Sequence, residues 1–333
     1  MGFDLRDQTT GRRSLAVLAF AIIQTGWLPI SILGVVLVGF RQLYTSKKLG
    51  VSQTAVEIIN GRWAMDAFGL REDSSSKKLA HNIPNNSVMG LWLALFPLWA
   101  VRKLFNVQLI YPKIGAPEQT SLTNLVPSRT VLFDNLIRKN AQHCSQLVIL
   151  GAGLDTRAYG DLKEQDLDIF ELDESVNQNH KIRSLSVSGI DSKHVVFLDV
   201  NFADNHWIES LIESKYSPKK KTIFLWEGVT LYLSEQAIVQ TLSALKNNAA
   251  KGSVVLTDLY SLRLLNLTKH KALNWSLKLT NEQTNFGLDF STSPLDELKR
   301  FAKSQALQVG DYQFLGGANK KGPFAVIAEL KVE

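Results

Sequence analysis

The sequence predicts an α/β domain with a mostly parallel, doubly wound sheet, preceded by an N-terminal hydrophobic helical extension. After Pro127, short apolar runs alternate with stretches of helical periodicity, as buried parallel strands alternate with covering helices. Gly-Ala-Gly at 151–153 follows the first of these runs, where α/β sheets place a ligand loop. The extension is indicated by the 27 uncharged residues from Ser14 to Phe40.

Composition limits the classes of partner that the chain can have. The net charge is +6, but basic residues do not cluster with interleaved aromatic residues, so a nucleic-acid groove is not expected. Cys144 is the single cysteine, which excludes a disulfide within the chain and a cysteine-based zinc site. The six histidines lack metal-ligand spacing, and we expect no metal. A reducing, cytoplasm-facing compartment follows from this cysteine content.

The segment from Ser14 to Phe40 is long enough to cross a membrane, which takes about 20 apolar residues, and Arg12, Arg13 and Arg41 flank it. Pro29 weakens a straight helix, so a kinked span and a shallow re-entrant hairpin are both open. A second segment, 87–101, has 15 residues and contains a proline and two tryptophans. This length suits an interfacial or buried segment better than a span.

Charge asymmetry predicts the orientation of the extension. Residues 1–13 carry three Lys or Arg and residues 41–86 carry seven, so the latter should face the cytoplasm. Two full crossings would place the α/β domain on the other side, away from cytosolic metabolites. We therefore expect the first segment alone to insert, with the domain cytoplasmic; the alternative is that both segments lie in the membrane surface.

We expect the division between the two parts at residue 110, with a membrane-associated helical region over 1–110 and the α/β domain over 111–333. Between the apolar segments, 51–70 predicts one or two amphipathic helices, and 73–78 predicts a polar linker.

The individual elements of the α/β domain can be assigned from the pattern. Predicted strands lie at 147–150, 167–172, 195–200, 222–226 and 254–257. Predicted helices lie at 129–140, 174–185, 207–215, 234–249 and 294–305. Two apolar runs, 312–315 and 324–330, surround a Gly/Lys-rich turn and predict a terminal antiparallel hairpin.

The loop after the first predicted strand reads Gly151-Ala152-Gly153-Leu154-Asp155-Thr156. A dinucleotide loop would have a third glycine at the position of Thr156, and the chain has no P-loop pattern. A phosphate-bearing ligand is therefore disfavoured. The two glycines still let a ligand approach the backbone, and we expect a helix to start next, where a carboxylate is favoured. S-adenosylmethionine, which has a carboxylate and no phosphate, meets these conditions.

Polar residues end the next strands of the ladder. Asp173 follows the second strand, where a carboxylate can accept both hydroxyls of a ribose. Asp199 ends the third strand, and its side chain together with the backbone amide of Val200 can meet an adenine. Glu227 ends the fourth strand and points into the ligand crevice, and Tyr232 is a candidate for lining the same site.

Five segments together resemble the leucine carboxyl methyltransferase-like family of S-adenosylmethionine-dependent methyltransferases. They read "SRTVLFDNLI", "LVILGAGLDTRAYG", "IFELD", "VFLDV" and "LWEGVTLYL". The resemblance covers Pro127 to Glu333, and Gly-Ala-Gly-x-Asp-Thr-Arg is specific for the family. It implies a Rossmann-like class I methyltransferase sheet with S-adenosylmethionine as cofactor.

The resemblance also implies roles for individual residues. Arg129 would pair with the cofactor's methionine carboxylate, and Glu227 would lie near its amino group. Gly151 and Gly153 would shape the cradle for the cofactor. Asp173 would hold the ribose, and Asp199 with Val200 would contact the adenine. Glu227 and Tyr232 are the candidates for a catalytic role.

The reaction implied by the resemblance is O-methylation of a carboxylate or hydroxyl. The apolar extension favours an apolar or membrane-associated small molecule as acceptor. We also expect the chain to contact the membrane through residues 14–40 and, in addition, 87–101. Two alternatives from other classes are a non-catalytic S-adenosylmethionine-binding protein that acts through a partner, and an NAD-dependent oxidoreductase.

Overall fold

The computed structural model describes residues 10–202, 207–268, 285–317 and 322–333 of the chain. Its centre is a seven-stranded sheet in the order β3-β2-β1-β4-β5-β7-β6. β1 to β5 are parallel, whereas β7 runs antiparallel to both β5 and β6. The strands are β1 Gln146–Leu150, β2 Asp168–Asp173, β3 Val195–Asp199, β4 Thr222–Trp226, β5 Val254–Tyr260, β6 Gln308–Leu315 and β7 Ala325–Lys331. This confirms the predicted sheet of five parallel strands and a terminal hairpin.

Helices precede the sheet and connect its strands. The first five are α1 Thr10–Phe40, α2 Ser46–Leu49, α3 Gln53–Ala67, α4 Ser74–Asn82 and α5 Val88–Phe105, with a π-helical turn at Arg41–Thr45 between α1 and α2. The described residues after these contain α6 Leu125–Ala141, α7 Ser175–Val187, α8 Trp207–Ile212, α9 Glu235–Asn247, α10 Leu262–Thr268 and α11 Pro294–Ser304.

The sheet separates two hydrophobic clusters because successive strand side chains point to opposite faces. On β1, Leu147 and Ile149 join one cluster with residues of α3, α4 and α6. Val148 and Leu150 join the other cluster with residues of α8, α9 and α11. All five residues of β1 are buried, which explains why Leu147 to Leu150 form an unbroken apolar run.

The first apolar segment forms one continuous helix, α1, and Pro29 lies inside it. The re-entrant hairpin left open by the sequence is therefore not formed. α1 packs along α5: the Trp27 indole donates to the Leu93 carbonyl at 2.9 Å and lies 4.6 Å from the Phe96 ring. These contacts hold α1 against α5 next to Pro29, which removes one backbone hydrogen bond from the helix.

The polar linker predicted at 73–78 is wrong, because this stretch begins α4. Asp73 caps the helix by accepting from the Ser76 amide at 2.8 Å, and such a cap stabilises a helix by about 1 kcal/mol. The serines that made the stretch look unstructured are used in contacts. Ser76 lies 2.7 Å from the Thr156 hydroxyl, and Ser75 donates to the Tyr159 carbonyl at 2.9 Å.

The helix expected directly after the glycine loop is also absent: Arg157–Tyr159 and Asp161–Glu164 are short 3-10 turns. Asp155 accepts from the Arg157 amide at 2.8 Å, and a side chain that bonds its own backbone in this way competes with helix formation. The loop therefore offers no helix N-terminus to an anionic ligand.

α3 and α4 pack with the α/β domain, although they precede residue 110. Val56, Ile59, Trp63 and Leu79 belong to the same buried cluster as β1. The boundary predicted at residue 110 stays a prediction, and this packing favours a boundary near residue 50.

α1 and α5 are apolar helices. Gly11–Leu49 and Val88–Phe105 are long and apolar enough to cross a membrane by length and composition, with mean hydropathies of 2.0 and 1.5. α5 lies between α1 on one side and the domain on the other, where Trp92 meets Trp63 edge-on at 5.2 Å.

Candidate functional site

The predicted site residues gather at the carboxyl ends of β1, β2 and β4. β1 lies between β2 and β4 in the sheet, so the chain direction across the sheet reverses between β1 and β4. Open α/β sheets bind ligands at such a reversal. The loops after both strands meet there, since a Cβ on Gly151 would lie 2.6 Å from Val229.

The two glycines of the loop are required by the backbone. Gly151 has φ +66° and Gly153 has φ +44°, both in the left-handed region that favours glycine. Gly151 also has no room for a side chain beside Val229. The glycine loop predicted from the sequence is thus a tight turn that follows β1 at the carboxyl edge of the sheet.

Asp173 ends β2 beside this loop and holds it in place. Its Oδ2 accepts from the Gly153 amide at 2.6 Å, and its Oδ1 accepts from the Glu174 amide at 2.7 Å and the Asn177 amide group at 3.1 Å. A carboxylate has about four acceptor sites. Two ribose hydroxyls would therefore share or replace one of these bonds. Burial raises the pKa of Asp173, and the hydrogen bonds from Gly153 and Asn177 oppose this.

The third strand places its two predicted residues differently. Asp199 is exposed, and Val200 is buried. The Val200 amide donates to the Asp173 carbonyl at 2.9 Å, so its contact with an adenine stays a prediction that competes with this bond.

Arg129, on α6, lies buried beneath the ends of β4 and β5. Its Nη1 donates to Asp258 at 2.9 Å and to the Tyr260 hydroxyl at 2.7 Å, and its Nε lies 3.0 Å from Glu227 Oε1. Burial lowers the pKa of Arg129, but Tyr260 and the two carboxylates more than reverse this and raise it. Gly228, at φ +73°, lets the guanidinium lie against the backbone, because a Cβ there would sit 3.2 Å from it.

Glu227, at the end of β4, is surrounded by guanidinium groups. Arg157 Nη1 lies 2.6 Å and Arg62 Nη2 lies 3.6 Å from its Oε2, in addition to Arg129 on Oε1. Burial raises the pKa of Glu227, but the three arginines outweigh it and lower the pKa. An ionised carboxylate with a low pKa is a weak general base.

Tyr232 lies in the 3-10 turn after β4 and is half-buried. It is close enough to Tyr260 to influence the pKa of that residue. The structure thus brings together Gly151, Gly153, Asp173, Arg129, Glu227 and Tyr232, whereas Asp199 stands at the outer end of the ladder on the far side of β2.

Arg129 and Glu227 belong to a larger, mostly buried network, which among the described residues contains four arginines and five carboxylates. The members are Arg62, Arg71, Arg129, Arg157, Asp73, Asp134, Asp155, Glu227 and Asp258. Arg157 holds its loop by bonding Asp134 and Asp155 at 2.6 Å each. The network has one more negative than positive formal charge.

Sequence reasoning missed several residues of this network, and two of them carry a signal in the sequence. Asp258 lies on the fifth strand, in "VVLTDLY", and the argument from acidic strand ends would have found it had it been extended by one strand. Arg62 is a lone charge within the apolar helix "INGRWAM" and is 1% exposed. A single arginine among large apolar residues signals a buried ion pair, here with Asp155 at 2.9 Å.

The donors and acceptors present fit the amino-acid end of S-adenosylmethionine. Within the described residues, Arg62 Nε and Nη1 are buried and make no hydrogen bond. Arg129 Nε and Glu227 Oε1 lie 3.0 Å apart as an ion pair but form no aligned hydrogen bond. Buried polar atoms are normally satisfied. Guanidinium groups bind a carboxylate, and Glu227 can accept from an ammonium group, so this set matches the two charged groups of an amino acid.

A cavity of about 220 Å³ lies beside this site, between the start of α4, α6 and the 3-10 turns. Arg71, Asp134 and Arg157 line it. It is bounded by the network but lies away from Gly153 and Asp173, so we do not assign it to the cofactor.

Residues 98–246 match the family model described as Leucine carboxyl methyltransferase. This confirms the resemblance seen in the sequence motifs. A Mycobacteroides abscessus protein named "Putative S-adenosyl-L-methionine-dependent methyltransferase" is 28% identical over 142 residues, which are 41% of this chain and 46% of that protein. A Mycolicibacterium smegmatis protein of the same description is 30% identical over 141 residues, with the same shares. The chain thus spans about half the length of these curated relatives.

Solved structures with a similar fold are more distant. An O-methyltransferase family protein from Burkholderia thailandensis has a TM-score of 0.43 and 11% identity, covering 63% of this chain and 58% of the other. Magnesium protoporphyrin IX methyltransferase from Synechocystis has a TM-score of 0.41 and 7% identity, covering 64% and 89%. These likenesses are too weak for an argument about function. The family match and the names of the curated relatives support S-adenosylmethionine as the cofactor, and the comparisons give no support to the two alternatives.

Proposed function

We propose that this leucine carboxyl methyltransferase-like protein transfers the methyl group of S-adenosylmethionine to an oxygen of an apolar or membrane-associated small molecule. The observation that carries the proposal is the position of the charged site. Arg129 and Glu227, which the resemblance relates to the cofactor's amino-acid end, lie buried as an ion pair at the reversal between β1 and β4, where α/β sheets bind ligands. Beside them, Arg62 Nε and Nη1 are buried without a hydrogen-bond partner.

Each end of the cofactor has its own group of residues. Arg62, Arg129 and Glu227 would hold the amino-acid end, while Asp173 would accept from the ribose. Gly151 and Gly153 shape the turn between these groups. Asp199 and Val200 stay the proposed adenine contacts.

When bound, S-adenosylmethionine supplies a methyl group on a sulfonium; a lone pair of the acceptor oxygen forms the new C–O bond, and the S–C electron pair remains on sulfur. The chain's part is to align the two reactants and to exclude water, which is a large contribution in displacement reactions.

The state of Glu227 bears on the acceptor. A hydroxyl acceptor needs a base, whereas a carboxylate acceptor does not. Because three guanidinium groups lower the pKa of Glu227, it is poorly suited to remove a proton. Burial raises the pKa of Tyr260 and so disfavours its phenolate. Both observations favour a carboxylate acceptor, with Glu227 as a positioning group and Tyr232 as a residue that lines the acceptor side.

The apolar helices favour an acceptor drawn from a membrane. α1 presents large exposed apolar side chains, and α3 lies between α5 and the charged site. We therefore propose membrane association through residues 14–40 and 87–101, with the catalytic part facing the cytoplasm.

The test is calorimetry on the purified protein in detergent with S-adenosylmethionine, S-adenosylhomocysteine and NAD. We expect saturable binding of the two sulfur compounds. Asp173→Asn should weaken S-adenosylhomocysteine binding by about tenfold or more, since hydrogen bonds to a charged group contribute about 1.5–3 kcal/mol. Asp168→Asn, an exposed residue of the same strand that pairs with Lys220, is the matched control and should leave binding unchanged.

Binding of NAD without binding of the sulfur compounds would overturn the proposal. The acceptor is then sought by incubating the protein with labelled methyl donor and a membrane extract and identifying the labelled product. Cofactor binding with no methyl loss in any extract would favour the non-catalytic alternative.

A further inference from the structure

The outward face of α1 is mostly apolar from Leu15 to Phe40, where Thr25 is the exposed polar residue. Its large exposed side chains are Leu15, Val17, Leu18, Ile22, Leu28, Ile32, Leu33, Val35, Val36 and Phe40. The inward face packs on α5, and the helices approach closely at Gly34 and Gly90, where a Cβ on Gly34 would lie 2.6 Å from the Gly90 carbonyl oxygen. A contiguous apolar surface of this size marks an interaction site.

The charges around this surface have one sign. Residues 10–50 and 87–110 contain no Asp or Glu. Their basic residues are Arg12, Arg13, Arg41, Lys47, Lys48, Arg102 and Lys103. A helix with an apolar face and basic flanks is typical of binding to an anionic lipid surface.

α5 cannot cross a bilayer in this fold. Its two flanking helices, α4 and α6, lie on the same side of it, because Leu79 of α4 and Phe133 of α6 belong to one buried cluster. A single crossing would separate them. To return to the first side, residues 106–124 would have to cross the bilayer. This connection contains only short 3-10 turns, and irregular backbone is not tolerated in contact with lipid.

Because α1 packs on α5 and α5 packs on the α/β domain, all three must lie at similar depths relative to a membrane. Ala16 packs with Val101 at one end of the pair, and Gly34 meets Gly90 at the other, so the two helices run antiparallel and side by side. α5 in turn packs on α3 through Trp92 and Trp63. If α1 stood across a bilayer, α3 and its buried Arg62 would lie within the hydrocarbon layer.

We propose that the α1–α5 pair lies in the plane of an anionic lipid surface, with the outward face of α1 among the acyl chains and the basic residues at the headgroups, without crossing the bilayer. This deepens the membrane association proposed above, on which it rests. Its test needs no methyl transfer.

The first experiment is flotation of the full-length protein, diluted from detergent, with sealed vesicles of phosphatidylcholine alone or mixed equally with phosphatidylglycerol. We expect binding about tenfold or more tighter to the anionic vesicles, since each basic residue near the surface adds attraction, and weaker binding at high salt. Val36→Glu on the outward face should weaken binding by about tenfold or more. Val239→Glu is the matched control, because this exposed valine lies on α9 at the opposite face of the sheet.

The second experiment measures on which side of the bilayer the ends of the helix lie. Gly11→Cys and Leu49→Cys place a thiol at each end of the continuous helical stretch, and the native Cys144 is buried, so the unmodified chain gives the background. With protein bound to the outside of sealed vesicles, both variants should react fully with a membrane-impermeant maleimide.

Protection of one end until detergent is added would show that α1 crosses the bilayer and would overturn the proposal. Equal binding to both vesicle types would overturn the proposed preference for anionic lipid. Failure to bind either, with self-association that Val36→Glu abolishes, would show that a second copy covers the face. If the protein bound vesicles but not S-adenosylhomocysteine, the proposed methyltransferase function would fail and the proposed lipid binding would stand.

Discussion

Asp134 shows how strongly single buried charges depend on their partners in this protein. Its two oxygens lie 2.6 Å from Arg157 and 2.7 Å from Arg71, and its side chain is 10% exposed. Burial raises the pKa of Asp134, but the two guanidinium groups outweigh it, and the net shift is downward. The folded protein therefore binds fewer protons at this site than the unfolded chain, so the contribution to stability is present above the ordinary carboxyl pKa and is lost as the pH falls.

Asp134→Asn should lower the free energy of unfolding at pH 7 by about 1.5–3 kcal/mol, the usual contribution of a hydrogen bond to a charged group. Arg157 and Arg71 keep other carboxylates, which limits the loss. The difference between wild type and variant should shrink as the pH falls below about 4. Denaturant unfolding at several pH values measures it.

Asp311→Asn is the control for this measurement, because Asp311 also pairs with a basic residue, Lys139, but is 62% exposed. Exposed ion pairs contribute about 0–1 kcal/mol, so this variant should behave as wild type. A constant difference for Asp134→Asn at every pH would contradict the assigned protonation of that carboxyl.

The secondary structure shows where sequence patterns suffice. Strands β1 to β5 could be predicted because each contains a short apolar run, which in β2 and β5 is interrupted by a buried carboxylate, Glu171 and Asp258 respectively. Helix α9 could be predicted because its apolar residues recur with helical spacing. α4 was missed because its sequence, "SSSKKLAHN", lacks apolar periodicity; its fold depends on the Asp73 cap and on tertiary bonds to Thr156 and Tyr159. The turns after Gly153 likewise depend on Asp155 and Arg157, whose partners are distant in sequence.

The contact of α1 with α5 gives a prediction that involves both helices. Gly34→Leu should force them apart, because a side chain there meets the backbone of Ala94 and Gly90 at 2.6 Å. Overpacking of this kind costs about 1–3 kcal/mol. We expect trypsin to cleave detergent-solubilised protein faster at Arg41, Lys47 and Lys48, since local opening exposes the chain.

Gly39→Leu is the matched control, because a Cβ at Gly39 meets nothing within 4 Å among the described atoms. Its cleavage rate should equal that of wild type. Equal rates for Gly34→Leu would mean that the close approach of the two helices does not stabilise the pair.

The whole molecule joins an apolar surface to a charged site through α5 and α3. The glycine turn, Asp173, Arg129 and Glu227 could be placed from the sequence because they follow recognisable strands or motifs. The position of Arg62 and the packing of α3 could not be predicted from the sequence. The sequence does not show that α3 packs on α5 with one face and on the cluster around β1 with another. Such contacts between distant segments are decided by packing alone.

Two deletions test this organisation. Removal of 1–110 takes Arg62, Trp63 and Leu79 out of the buried cluster and the ionic network, and loss of large core side chains costs about 3–5 kcal/mol each, comparable to the whole stability of a domain. We expect this variant not to unfold cooperatively.

Removal of 1–51 leaves α3, α4 and α5 in place. In detergent, which covers the face of α5 that α1 has left, the shortened chain should retain its thermal shift with S-adenosylhomocysteine. A ligand at a hundred times its Kd stabilises by about 2.7 kcal/mol, which a melting curve resolves. Cooperative unfolding and ligand stabilisation of the chain lacking 1–110 would show instead that the domain begins after α5, and that the ion pairs of Arg62 are dispensable for the site.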